Sequence, residues 1–145
     1  MLTELEPLAC AAEPPRAKHR ILIVEDDATL ADVLALRLER VGYQPLLANS
    51  GNQGLELART QRPHLVLLDL NLPDVDGLRI CESLADHPQT CSIPVIILSG
   101  MERPDIVRSS RAAGCHYFMR KPYDPNALLI LIQHAIRETE SWDAT

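Results

Sequence analysis

The sequence predicts an α/β fold in which helices wind on both faces of a five-stranded parallel sheet, a (βα)5 arrangement. Three observations predict it. Short, uninterrupted apolar runs recur at Ile21–Val24, Leu65–Leu68 and Val95–Leu98, as expected of strands covered on both faces. Stretches with helical spacing of apolar residues separate them, and glycine or proline marks the junctions. Strand-then-helix alternation implies a parallel sheet, because right-handed crossovers carry the chain back over alternate faces.

Residues 1–19, with Glu4, Glu6, Glu13, Pro7, Pro14 and Pro15, read as a flexible tail that gives a core nothing to hold. The folded unit is expected over 20–140, with a short tail at 141–145. After the first strand, Leu30, Val33, Leu34, Leu38 and Val41 fall at helical spacing and Gly42 stops the helix. Pro45–Ala48 reads as a short second strand, at an edge because of its proline. Gly54–Arg59 is a weak helix ending before Pro63, and Leu78, Cys81 and Leu84 mark a third helix. A fourth helix is expected over Pro104–Ala113, then a fifth strand over Tyr117–Met119. Leu128, Leu131, Ile132, Ala135 and Ile136 line one face of a closing helix.

Bulk properties narrow the function. The chain has 145 residues, 46% of them hydrophobic, enough for one domain with a continuous core. Its formal charge of -6 argues against direct nucleic-acid binding, which relies on clustered Lys and Arg. No apolar run is long enough to cross a bilayer, and the first residues lack the basic start and apolar stretch of a signal peptide. Leu8-Ala9-Cys10 faintly resembles a lipoprotein cleavage site but lacks those flanks. Cys10, Cys81, Cys91 and Cys115 form no CxxC pair, which suits unmodified thiols in a reducing cytoplasm.

In open sheets of this kind ligands sit beyond the carboxyl ends of the strands. The first strand ends in Glu25-Asp26-Asp27, the third in Asp69, the fourth in Ser99-Gly100, and the fifth runs into Lys121-Pro122. Carboxylates gathered there repel by about 4 kcal/mol per pair at about 4 Å and an effective dielectric near 20, so such a cluster calls for a cation. Few carboxylates with hard oxygen donors suit Mg²⁺, which keeps waters and accepts phosphate oxygens. Taken alone, the acidic triplet is equally an ordinary first helical turn, with Asp27 as the helix cap. Asp69 is harder to dismiss, because a charge directly after Leu65–Leu68 is costly unless paired or metal-bound. A carboxylate can attack phosphorus, while Lys121 and Ser99 can meet the phosphoryl oxygens.

These residues resemble the receiver domain of bacterial response regulators, over roughly Arg20 to Glu138. Ile21–Asp27 is similar to its first-strand acidic motif, and Asp69-Leu70-Asn71-Leu72-Pro73 with Asp76-Gly77 to its phosphoacceptor segment. Ile96–Gly100 matches the switch hydroxyl of the fourth strand, and Lys121-Pro122-Tyr123 the lysine motif. The resemblance implies a flavodoxin-like sheet of order 2-1-3-4-5. It makes Asp69 the phosphorylation site, with Mg²⁺ (Mn²⁺ able to substitute) held by Asp26, Asp69 and the Asn71 backbone carbonyl, and by Glu25 through a water. It implies that Ser99 swings toward the phosphoryl group, that Phe118 is the aromatic switch, and that a cis peptide precedes Pro122. Asn71 and Met101 fall at positions that tune phosphate lifetime, and apolar Met101 cannot orient a water.

The implied partners are a sensor histidine kinase or a histidine phosphotransfer protein, with signalling in the cytoplasm and no contact with membrane or nucleic acid. Phosphorylation would then change the surface of the fourth helix, fifth strand and fifth helix for dimerisation or a downstream protein. Leu129 and Ile130 lie off the core stripe of the last helix and are candidates for that surface. Too few residues follow this helix for an output module, leaving open a stand-alone regulator, a phosphate shuttle or part of a longer chain. Two readings compete. A haloacid-dehalogenase-like phosphatase also uses an Asp nucleophile, but it wants an acid where Asn71 stands. A receiver-like scaffold that binds without phosphorylation is the other.

Overall fold

The computed structural model describes residues 18–143; the reading of a tail over 1–17 and the Leu8-Ala9-Cys10 segment lie outside them. Ten elements alternate: β1 (Arg20–Val24), α1 (Ala28–Arg40), β2 (Gln44–Ala48), α2 (Gly51–Gln61), β3 (Leu65–Asp69), α3 (Gly77–Asp86), β4 (Val95–Ser99), α4 (Ile106–Ala112), β5 (Tyr117–Arg120) and α5 (Pro125–Asp143). All pairings are parallel and the sheet order is β2-β1-β3-β4-β5, with proline-bearing β2 at an edge.

Alternation along each strand divides the core into two layers. Leu22, Val24, Val66, Leu68 and Ile97 pack with Ala58, Ile80, Leu84 and Ile106 of α2, α3 and α4. Ile21, Ile23, Leu65, Leu67, Ile96 and Leu98 pack with Leu34, Leu38, Leu128 and Ile132 of α1 and α5. Each such Leu, Ile or Val contributes about 1.5–3 kcal/mol by leaving water. Side-chain caps start four helices: Asp27 accepts from the Thr29 and Leu30 amides, Ser50 from Gln53, Asp76 from Leu78, and Asp124 from Asn126. Gly42, at φ 99°, turns the chain out of α1. Among the described residues no helix is long and apolar enough to cross a membrane.

Four expectations need correction. Leu30, Val33 and Val41 are about half exposed; the sheet-facing residues of α1 are Ala31, Leu34, Ala35 and Leu38. The small alanines let α1 approach the sheet along a line rotated from the bulky stripe. His19 belongs to the fold rather than to a tail: its carbonyl accepts from the Gln44 amide and its Nε2 meets Glu140 at 2.7 Å. At the other end α5 continues to Asp143, past 140, because no glycine or proline interrupts residues 126–143. In α5 itself, Ile130 is exposed, but Leu129 is half-buried against the second core layer.

Candidate functional site

Register brings the acidic residues together. Val24 pairs with Leu68, so Glu25 and Asp69 leave adjacent strands at the same level, and Asp69 pairs with Leu98, one residue before Ser99. Carboxylate oxygens of Glu25, Asp26 and Asp69 all lie within 4.8 Å of one another. Asp26 is exposed, whereas the Glu25 and Asp69 side chains are only 11% and 10% accessible. Asp27 is no part of this cluster; it caps α1.

Lys121 answers the cluster from the end of β5. Its Nζ donates to Glu25 Oε1 at 3.2 Å and to Asp69 Oδ2 at 3.4 Å. The Lys121 amide donates to the Ser99 carbonyl at 2.8 Å, and the Lys121–Pro122 peptide is cis. Asp69 Oδ1 accepts from the Asn71 amide at 3.1 Å. One ammonium against three carboxylates leaves the balance negative. Burial, then the hydrogen bond and charge of Asp69, push the Glu25 carboxyl up to about 7, against the Asp27 amide and Lys121. Burial works against the Lys121 charge, yet Asp69 and Glu25 hold its ammonium above the usual lysine value. Hard oxygen donors with excess negative charge at a sheet edge can take a divalent cation.

The backbone beneath the site permits no side chain at one point. A Cβ on Gly77 would sit 2.5 Å from Leu70 Cα and 2.9 Å from the Asp69 carbonyl oxygen, so glycine lets α3 begin directly against the acceptor strand.

The remaining predicted residues lie around this centre. Ser99 is buried at the end of β4, its Oγ accepting from the Met101 amide at 3.0 Å. Met101 is half-buried against the first core layer. Phe118 is half-buried on β5, and the Arg120 guanidinium stands 5.8 Å from its ring centre. Arg120 also donates to the Met101 carbonyl at 2.9 Å, linking the segments after β4 and on β5. Sequence reasoning missed Arg120, since an exposed arginine beside a lysine carries no signal of its own. It missed the α1 cleft too: Leu30, Val33 and Arg37 line, with Tyr123 and Pro125, a cavity of about 490 Å³ that reaches Asp69 and Lys121.

A parallel sheet of this order with acid, hydroxyl and lysine at its carboxyl edge defines a signalling receiver. A family model, the response regulator receiver domain, matches residues 21–133, and the chain belongs to that family. It is 33% identical over 121 residues to the DNA-binding dual master transcriptional regulator RpaA of Synechocystis sp., covering 83% of this chain and 50% of that one. It is 34% identical over 125 residues to the DNA-binding response regulator MtrA of Mycobacterium tuberculosis, covering 85% and 53%. The chain thus spans about half the length of these curated relatives. Among solved structures, the CheY-like response regulator receiver domain protein of Methanospirillum hungatei superposes with a TM-score of 0.81 at 29% identity, covering 86% of this chain and 98% of that one. Response regulators are signalling proteins rather than classical enzymes, and their receiver domains partner with histidine kinases.

Proposed function

We propose that Asp69 accepts a phosphoryl group from a phosphohistidine, on a sensor histidine kinase or a histidine phosphotransfer protein, in a Mg²⁺-dependent step. The observation that carries this reading is the Lys121 ammonium shared between Glu25 and Asp69 inside a three-carboxylate cluster. An Asp69 oxygen forms the O–P bond as the P–N bond breaks, and the donor imidazole departs with the electron pair. In this reading Lys121 neutralises the transferred group, and the Ser99 hydroxyl, whose oxygen accepts from the Met101 amide, turns its proton to a phosphoryl oxygen. Mg²⁺ (or Mn²⁺) would be held by Asp26, Asp69 and the Asn71 carbonyl, with Glu25 acting through a water, and it would offset the charge of the incoming phosphate.

The apolar cleft beside Asp69 suits the helix of a phosphodonor, with Leu30, Val33 and Tyr123 as contacts. The reaction belongs, in this reading, to the cytoplasm, with which free thiols at Cys81, Cys91 and Cys115 are compatible. Phosphorylation adds about -1.5 to -2 charge. Ser99 and Lys121 follow that charge, the Met101 segment shifts, and Phe118 turns inward, changing the α4–β5–α5 surface for dimerisation or a protein partner. Exposed Ile130 belongs to that surface. The names of RpaA and MtrA describe DNA-binding proteins; this chain, with a formal charge of -6, makes no direct nucleic-acid contact in this reading.

Incubation with radiolabelled acetyl phosphate tests the reading. Label should enter the native chain with Mg²⁺, fall sharply with EDTA, and fall similarly in Asp26→Asn. Absence of label at any Mg²⁺ concentration would overturn it in favour of a scaffold that binds without phosphorylation.

A further inference from the structure

The segment between β3 and α3 carries Asn71, and its two feet are fixed locally. At one foot the Asn71 amide donates to Asp69 Oδ1 at 3.1 Å; at the other the Gly77 amide donates to the Leu70 carbonyl at 3.2 Å. The crest is tied elsewhere. Asp74 Oδ1 accepts from the Gly51 amide at 2.8 Å, and its Oδ2 from the Asn52 amide at 2.9 Å. These are the first two amides of α2, which every helix leaves without an internal acceptor. Ser50 supplies the third acceptor, through Oγ to the Gln53 amide at 3.2 Å. The start of α2 is therefore capped jointly, by its own serine and by a carboxylate borrowed from the segment that follows Asp69.

The approach needs glycine. A Cβ on Gly51 would lie 2.8 Å from Ile80 Cδ1 and 3.3 Å from Asp74 Oδ1, so a larger residue would wedge α2 from both α3 and the carboxylate. Leu72 and Val75 flank the crest and lean half-buried on the first core layer. They give it a resting surface. A directional, two-pronged carboxylate clamp fixes position in a way apolar packing does not.

We infer that Asp74 is a positioning residue for the acceptor site, holding the crest against α2 so that the Asn71 carbonyl stays poised for the divalent cation. This rests on the proposed phosphoacceptor reading, and Asp74 itself touches neither cation nor phosphoryl group. Its effect is expected on cation affinity rather than on chemistry, as for other groups that orient a ligand from outside.

Calorimetric titration of Mg²⁺ into the unphosphorylated chain is the test, with thermal melts alongside. Asp74→Ala should weaken Mg²⁺ binding about tenfold. Acetyl phosphate labelling of this variant should be slow at low Mg²⁺ and recover its maximal rate at saturation. Asp74→Asn, which keeps one acceptor oxygen, should fall between it and the native chain. Ser50→Ala removes a cap from the same helix without touching the segment, and should lower the melting temperature while leaving Mg²⁺ affinity unchanged. Native affinity in Asp74→Ala, or equal weakening in Ser50→Ala, would overturn the inference. Failure of the native chain itself to bind Mg²⁺ would instead defeat the phosphoacceptor reading, and this inference with it.

Discussion

The two edges of the sheet end their strands in opposite ways. At the amino edge two histidines form matching brackets. The His64 amide donates to the Arg20 carbonyl at 2.8 Å and the Arg20 amide returns to His64 Nδ1 at 2.9 Å. The His116 amide donates to the Val95 carbonyl at 2.9 Å and the Val95 amide returns to His116 Nδ1 at 3.1 Å. Each bracket satisfies a strand-opening amide with a neutral ring. At the carboxyl edge three carboxylates cluster, and one ammonium answers two of them, Glu25 and Asp69. The strand-opening amides at one end of the ladder are satisfied by neutral rings, and the other end keeps a charge imbalance that an added cation, or a proton on Glu25, relieves. Stability and function are thus separated along the strands, and substitutions should separate them too.

The largest effect is expected from Asp69→Ala, with complete loss of phosphoryl uptake. Removing one of three mutually repelling carboxylates should leave the thermal midpoint unchanged or higher; a large drop would show that the carboxyl edge is structural after all. Next in size is His116→Ala, which strips the acceptor from the buried Val95 amide and should cost about 1–3 kcal/mol in urea unfolding. Its phosphorylation rate should match the native chain, and a slowed rate would join what the comparison divides.

Acid titration probes the same brackets more gently. Burial lowers the pKa of both His64 and His116, with Arg20 and His19 adding to the effect on His64 and Glu140 opposing it. The unfolded chain therefore binds these protons first. The brackets' own contribution to stability is full above the unfolded histidine value near 6.5 and declines as pH falls below it, against the opposite trend from the raised Glu25 carboxyl. Replacing both histidines with Gln should flatten the dependence in that range, and an unaltered slope would exclude the brackets. The smallest effect is kinetic. Met101→Glu places an acid where the native residue cannot orient water, so the phosphorylated lifetime should shorten with uptake unchanged; equal lifetimes would reject a tuning role for position 101.

How much of this was legible in the sequence follows the physics of each part. Strands buried on both faces must be apolar throughout, so Ile21–Val24, Leu65–Leu68 and Val95–Leu98 declared themselves, and with them the strand-end residues Glu25, Asp69 and Ser99. The correct face of α1 did not, because Ala31 and Ala35 do the packing while the bulkier Leu30 and Val33 stand in a cleft. The histidine brackets were invisible for another reason. Arg20 and His64 meet only once the parallel register is known, and nothing in either residue names the other. Asp74 sat in plain view beside Asp69, yet its partners lie more than twenty positions away on α2. Local chemistry is readable from spacing; pairings across crossovers require coordinates.

The central claim, that Asp69 is the acceptor, is tested most directly by trapping the product. Borohydride reduces an aspartyl phosphate to homoserine, so the chain is treated with acetyl phosphate and Mg²⁺, reduced, digested and mapped by mass spectrometry. Homoserine should appear at position 69 alone. Homoserine at Asp26 or any other carboxylate, or at none while the protein carries phosphate, would contradict it.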